Sequence, residues 1–178
     1  MDKTQECPLC KGTGVYHNRP CYCIIKNILL DKAPQLARVK KSKKLLTDLS
    51  LGKSKLDGNY LITREITEAN QIVATYLVYQ ATICGNLDFE FSNCLDAQDL
   101  IFSDEDSISK LVKPRILIYY LLGVKHKALP LFLYQAFQTR LDMGKQTIIV
   151  VSNPKASRTL RTNYPDLEPI INQLEEIK

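Results

Sequence analysis

Four of the six cysteines fall within residues 7–23, spaced Cys7-x2-Cys10-x10-Cys21-x-Cys23. Two close thiol pairs on either side of a loop suit a tetrahedral cation, because each pair presents two thiolates from one tight turn. Zn2+ is the expected ion, held structurally, since four protein ligands close its coordination sphere and leave no position for a substrate. Gly12 and Gly14 follow the first pair, where glycine lets the backbone turn its N–H groups toward sulfur. Lys11, Arg19 and Lys26 offset thiolate charge, and His17 stands in the loop as an alternative to Cys21 or Cys23. The competing readings are a reduced metal-free tail and a pair of disulfides. The opening MDKTQEC has neither the charged nor the apolar region of an export signal, which favours reduced thiols and a metal. Cys84 and Cys94 sit among apolar residues and are expected as core thiols.

Charge is the second chemical signal. The chain is +5 overall, yet residues 65–109 hold nine acids and no Lys or Arg, so that stretch is −9 and the rest is +14. Arg38, Lys40, Lys41, Lys43 and Lys44 form the densest positive run, suited to phosphate or to an acidic partner surface, or simply to solvation. With 45% hydrophobic residues the chain can fill a core, and no apolar run approaches the roughly 20 residues that span a bilayer. A soluble, cytoplasmic protein without a membrane contact is expected.

These groups must be carried by elements. A short helix is expected from Ile24 to Leu30, then, after Pro34, a basic helix over Gln35–Leu51 with Leu36, Val39, Leu45, Leu46 and Leu49 at helical spacing. Gly52 and Asp57-Gly58 mark a linker. Beyond it come a strand at 59–63, a helix at 67–83 with one apolar face (Ile72, Val73, Tyr76, Leu77, Ala81), and a strand at 89–91. A short helix at 96–102 capped by Asp96 and an acidic loop at 103–107 follow. The apolar run 115–122 reads as a central buried strand, 128–142 as a helix ended by Gly144, and 147–151 as another buried strand. Alternating strands and helices predict an α/β fold with a parallel sheet and flanking helices, preceded by the small zinc module. The expected segments are 1–30 (zinc module), 31–58 (basic helix and linker) and 59–178 (α/β domain).

Three stretches have a joint likeness. The first is Cys7-x2-Cys10-Lys-Gly12-Thr-Gly14…Cys21-x-Cys23. The second is Arg115-Ile-Leu-Ile-Tyr-Tyr-Leu-Leu-Gly123. The third runs from Phe132 through Arg140 and Gly144-Lys145 to Thr147-Ile-Ile-Val-Val-Ser-Asn153. Together they resemble the replicative-helicase loaders of bacteria and phage, and the related ATP-binding subunits of transposons, in the AAA+ superfamily. Phage members often open with a Cys-x2-Cys-x-Gly-Thr-Gly…Cys-x-Cys knuckle. The second stretch stands where the family carries an apolar strand, two acids and Leu-Gly. The third ends where a family Ser-Asn closes the strand of the first sensor.

The departures from that family are chemical. A phosphate loop needs glycines to wrap the phosphates, a Lys for the β/γ oxygens and a Ser or Thr for Mg2+. The aligned segment, Thr63 to Asn70, has no glycine, puts Ala69 and Asn70 near the Lys and Ser/Thr positions, and adds Glu65 and Glu68, which repel a triphosphate. Tyr119 and Tyr120 replace the two acids, and Gln173, within Asn172–Leu174, stands where the resemblance puts an arginine finger. The chain stops four residues after Leu174, before any helical lid. Asn153 reads as a turn residue, and Arg158 and Arg161 as surface charge. The resemblance with these losses implies a degenerate AAA+-like core that is not an enzyme, binds no nucleotide, and serves as a non-catalytic loader-like subunit. Its expected partner is a replicative helicase, an AAA+ homologue or another component of a DNA-processing complex. The alternative is a zinc-containing nucleic-acid-binding regulator, with DNA contacted by Arg38, Lys40, Lys41, Lys43 and Lys44.

Overall fold

The computed structural model of the chain describes residues 7–54, 56–101, 107–121, 129–151, 162 and 164–177. Its contacts form two compact units, Met1–Ser54 with Asn70–Leu87, and Lys55–Ala69 with Asp88–Lys178. These units interleave along the chain, whereas the expected segments 1–30, 31–58 and 59–178 are consecutive.

The first unit begins with a small antiparallel hairpin, β1 (Val15–Tyr16) and β2 (Arg19–Pro20), with Tyr16 opposite Arg19. His17 and Asn18 both have positive φ, 50° and 59°, the conformation that a two-residue hairpin turn of matching twist demands. Helix α1 (Tyr22–Lys32) follows and buries Ile25 and Leu29, starting two residues before the expected Ile24. Pro34 starts α2 (Pro34–Ala37), and α3 covers Lys43–Ser50. The single basic helix expected over 35–51 is therefore broken. The reason is Ser42, whose hydroxyl accepts from the Leu45 N–H at 3.2 Å and caps α3. Residues 38–42 are pulled out of helical geometry by α4 (Ile66–Thr82), whose residues from Asn70 onward belong to this unit. Gln71 donates to the Lys40 carbonyl at 2.9 Å, and Thr75 accepts from the Ser42 N–H at 2.9 Å. In α4 the residues Val73 to Val78 are all buried without a gap, so its middle is covered on every side rather than on one face, while Ile66 to Glu68 in its first turn are exposed.

The second unit is a five-stranded, wholly parallel sheet. Its strands are β3 (Tyr60–Ile62), β4 (Phe89–Asn93), β5 (Ile116–Tyr120), β6 (Gln146–Val150) and β7 (Glu175–Ile177), in the order β4-β5-β6-β3-β7. Every residue of β3 and β5 is buried, as central strands covered on both faces require. The helices α5 (Cys94–Ile101), α6 (Ser107–Val112), α7 (Leu129–Asp142) and α8 (Glu168–Ile171) complete the α/β layers, with a 3-10 turn at Pro165–Leu167 before α8. Leu61, Leu117, Tyr119, Ile149 and Val151 share one core with Ala97, Leu111, Leu133, Phe137 and Ile170. Asn93 rather than Asp96 caps α5: its side-chain oxygen accepts from the N–H groups of Leu95 and Asp96, and the Asp96 carboxylate returns to the Asn93 N–H at 3.0 Å. Gly144, at φ +63°, closes α7 as expected, with the Lys145 N–H on the Arg140 carbonyl at 2.8 Å. The expected acidic loop at 103–107 lies outside the described residues except for Ser107, which opens α6. Among the described residues no helix is long and apolar enough to cross a membrane.

One side chain ties this unit together. Arg140, fully buried near the end of α7, donates to the carbonyls of Leu111 (2.9 Å), Val112 (3.3 Å), Pro114 (2.8 Å), Arg115 (3.4 Å) and Gln146, and to the Thr147 hydroxyl (2.9 Å). Burial lowers its pKa to about 10, with Asp88 acting in the other direction, so the guanidinium stays charged at neutral pH. Lys145 adds bonds to the Val112 and Lys113 carbonyls at 2.8 and 2.7 Å. The exit of α6 and the entries to β5 and β6 thus converge on one planar fork. Replacing Arg140 with Met should cost roughly 3–5 kcal/mol of unfolding free energy, because several buried carbonyls lose their donor at once. Arg140→Lys should recover little of it, since an ammonium cannot span the same acceptors. Urea unfolding followed by circular dichroism checks this, and a loss below about 1 kcal/mol would contradict the role given to Arg140.

Candidate functional site

The four amino-terminal cysteines come together in space. The Cys7 and Cys21 sulfurs are 3.7 Å apart, those of Cys10 and Cys23 3.5 Å apart, and all four lie within 4.8 Å of one another. All are free thiols, with Cys10 and Cys21 buried and Cys7 and Cys23 half-buried. A tetrahedron with metal–sulfur bonds of about 2.3 Å has edges of about 3.8 Å, so the four thiols are placed to hold a metal ion. His17 is not part of the cluster; it lies in the hairpin turn with its ring 4.2 Å from that of Tyr16.

Local folding explains the unequal spacing of the two pairs. Cys7 and Cys10 flank a tight turn, closed by the Lys11 N–H on the Cys7 carbonyl at 2.8 Å. Gly12 and Gly14, at φ +85° and +74°, carry the chain from this turn into the hairpin. The N–H groups of Cys10 and Leu9 reach the Cys7 sulfur and hold its thiol down at about 6. Cys21 is the cap residue of α1 with extended backbone (φ −69°, ψ 149°), and Cys23 lies in its first turn. Within a helix, residues two apart point in nearly opposite directions, but a cap residue is outside helical geometry, so here both sulfurs meet. The Cys23 thiol, beside Cys10 and partly desolvated, is pushed up to about 12. The remaining two cysteines part company: Cys94 is buried as expected, whereas Cys84 is exposed, because it follows the last turn of α4.

The five basic residues do not form one helical face. Arg38 and Lys40 lie in the connection between α2 and α3 and are exposed, as are Lys43 and Lys44 in the first turn of α3. Lys41 folds back, donating to the Ala37 carbonyl at 3.3 Å with its ammonium 5.8 Å above the Tyr22 ring. Counted by unit, Met1–Ser54 with Asn70–Leu87 contains eleven Lys and Arg against four acids, a formal +7, which leaves −2 for the rest of the +5 chain. Tyr16 and Tyr22, in the same unit, are among the exposed aromatic side chains.

In open parallel sheets ligands bind beyond the carboxyl ends of the strands. At that end the connection from β3 to α4 is only Thr63–Glu65, because Ile66 already begins the helix. The loop expected over Thr63–Asn70 is thus mostly helical, with Ala69 buried in α4. Thr63 is buried; its N–H donates to the Ile177 carbonyl at 3.1 Å and its hydroxyl to the Glu176 carboxylate at 3.0 Å, engaging it with β7. Arg64 pairs with Glu68 at 3.3 Å. At the end of β5, Tyr119 is fully buried edge-on to Phe137, with ring centroids 5.3 Å apart, and Tyr120 is buried too. Gln173 is exposed and donates to the Pro169 carbonyl at 3.0 Å. Gly123, Asn153, Arg158 and Arg161 lie outside the described residues. No protein-family model and no curated protein sequence matches the chain.

Two outcomes follow from this geometry. Cys23→Ser should lower the bound metal from about one per chain to well under half, measured by elemental analysis of purified protein, because three thiolates leave the ion open to exchange. Full metal retention would show that Cys23 is not a ligand. Burial pushes the Tyr119 phenol far up, with the Cys94 thiol adding to it, and burial alone does the same for Tyr120. Phenols raised in the folded state ionise first in the unfolded chain. Their stabilisation is therefore complete below about pH 10 and declines as pH rises past it toward the folded value. Tyr119→Phe should flatten that alkaline decline in urea midpoint, and an unchanged slope would contradict it.

Proposed function

We propose that the chain is a non-catalytic, helicase-loader-like subunit of a DNA replication or processing complex, with Zn2+ in its four-cysteine site. The observation that carries this reading is the β3–α4 junction: three residues without glycine, with Thr63 bonded to β7, where a nucleotide-binding relative needs a glycine-rich loop. The buried, apolar setting of Tyr119 and Tyr120 supports it, since neither can hold Mg2+ or orient water. Zn2+ fits the donor set better than harder cations, because four soft thiolates at tetrahedral spacing suit it and a closed sphere makes the site structural. The zinc-bearing, +7 unit would be the contacting part, and its partner a replicative helicase or an AAA+ homologue.

The concentration of charge in that unit, with Arg38, Lys40, Lys43 and Lys44 exposed, favours a second reading: a zinc-containing regulator that binds nucleic acid directly. Three measurements separate the possibilities. Titration with a fluorescent ATP analogue and Mg2+ should give no saturable binding up to about 1 mM, and micromolar binding with hydrolysis would sink the non-catalytic reading. Affinity purification from the native source should bring down a helicase or related ATPase, and its absence would remove the loader-like role. A salt series with single- and double-stranded DNA decides the second reading. Binding that weakens steeply with salt, and less steeply in a Lys43→Gln/Lys44→Gln variant, supports it, and no binding at low salt excludes it.

A further inference from the structure

The four clustered thiols are not equivalent. The Cys7 and Cys21 sulfurs lie 3.7 Å apart, and those of Cys10 and Cys23 3.5 Å apart. A disulfide bond is about 2.05 Å long, so each gap closes with a movement of roughly 1.5 Å. Each of these pairs joins unlike members. Cys7 and Cys23 are half-buried, whereas Cys10 is only 5% exposed and Cys21 1%. An oxidant arriving from solvent therefore meets one sulfur of each pair, with the other directly behind it. An accessible thiol beside a second one is the arrangement in which a sulfenic acid is resolved to a disulfide instead of being oxidised further.

The backbone sets the partners. Cys7 and Cys10 flank one turn, closed by the Lys11 N–H on the Cys7 carbonyl, and Cys21 and Cys23 stand at the start of α1. A Cys21–Cys23 bridge would close across a single residue, where Tyr22 and Cys23 are already held in helical geometry. A Cys7–Cys10 bridge would leave only that closure for the other two thiols. Complete oxidation of the cluster therefore favours links between the turn and the helix start.

We propose that a hydroperoxide converts the cluster into two disulfides, Cys7–Cys21 and Cys10–Cys23, making the site a reversible redox switch that gives up its metal when oxidised. The Cys7 thiolate attacks one peroxide oxygen: the S–O bond forms, the O–O bond breaks and hydroxide leaves. The Cys21 thiolate then attacks the Cys7 sulfur, forming the S–S bond and expelling the second hydroxide. With the two thiol protons, each pair reduces one peroxide to two waters. Cys23 and Cys10 follow the same course, with Cys23 as the sulfur first oxidised. A dithiol reverses both steps by exchange. The oxidised cluster has no thiolate left to hold an ion, yet its two links keep the first turn tied to the start of α1. Loss of the ion rests on the Zn2+ reading, whereas the pairing rests on the positions of the thiols alone.

The test uses the full-length protein carrying Cys84→Ser, which removes the exposed thiol outside the cluster. Elemental analysis first gives its metal content, and hydrogen peroxide is then added. After unfolding and alkylation of remaining thiols, trypsin cuts at Lys11 and Lys26 but not at Arg19, which precedes Pro20, leaving Thr4–Lys11 and Gly12–Lys26. Links between the turn and the helix start join these two peptides, and links within each pair leave them separate. Chymotrypsin at Leu9 and Tyr22 then puts each cysteine on its own fragment, so masses identify its partner. Joined peptides with Cys7–Cys21 and Cys10–Cys23 as the dominant connectivity are expected. A chromogenic indicator should register release of the metal in step with disulfide formation, and dithiothreitol should restore all four thiols. Cys7→Ser/Cys10→Ser should form an internal disulfide at least about tenfold more slowly than Cys7→Ser/Cys21→Ser, which retains the Cys10–Cys23 pair. Separate peptides, Cys7–Cys23 with Cys10–Cys21, equal rates in the two variants, or disulfides formed with the metal retained would each overturn the proposal. Protein that carries no metal at the outset would sink the Zn2+ reading and the release step with it, and the peptide map would still decide the pairing.

Discussion

A buried guanidinium whose hydrogen bonds go to backbone carbonyls rather than to a carboxylate is the constraint on which the α/β unit depends. Arg140 carries its charge into the interior and makes no hydrogen bond to an acid among the described residues; it spends its donors mainly on backbone carbonyls from two separate stretches, 111–115 and Gln146. Such carbonyls arise wherever a helix ends beside a strand that is just beginning, and each would otherwise be desolvated and unpaired. One planar fork solves several of these problems together, and a hydrocarbon side chain of equal volume would solve none. The arrangement is demanding in return. The fork serves only if α6 ends at Val112, α7 closes at Gly144, and β5 and β6 enter side by side. Arg140 therefore specifies the relative register of these elements as well as stabilising it.

The amino-terminal unit is organised by a different principle. It begins with a segment too short to fold on a core of its own, and a metal ion held by the sulfur cluster would compensate for that. The hairpin between the two cysteine pairs fixes the span between them, and α1 is begun by one of the ligands. Sulfur cluster, turn and helix start thus meet within a few residues: Cys21, one of the four clustered thiols, is also the residue from which α1 begins. The basic segment after α2 is shaped by tertiary bonds rather than by helix propensity, since Gln71 and Thr75 hold it in an irregular path.

The sequence was readable where a single local signal dominated. The sulfur spacing announced the cluster, the unbroken apolar runs announced β5 and β6, and Gly144 announced the end of α7. It misled where a tertiary bond overruled local preference. The leucine spacing from Leu36 to Leu49 continues a helical pattern across Ser42, but the hydroxyl there caps a new helix once Thr75 takes the Ser42 N–H. Ser42 ahead of a leucine-rich turn was the available hint. The hairpin at 15–20 was missed because its strands are two residues each, too short for any periodicity, although His17-Asn18 is a plausible positive-φ turn. β7 was missed because Glu175-Glu176 in an edge strand does not look apolar. The importance of Arg140 was hidden because its partners are all backbone or a distant hydroxyl, and no residue type marks a carbonyl that needs a donor.

The discontinuity of the first unit bears on how the chain is made. The sulfur ligands are all in place once residue 23 has emerged, so an ion can be captured early in synthesis. The bonds that fix residues 40–42, however, wait for Gln71 and Thr75, 31 and 33 positions downstream. At translation rates of about 5–20 residues per second that is a lag of roughly 2–7 s. During this interval the four-cysteine segment is already complete on an unfinished body, and the basic segment after α2 lacks the bonds that later hold it. Assembly of the sulfur cluster and completion of the unit are thus separate events in time, ordered by nothing more than the position of one helix in the chain.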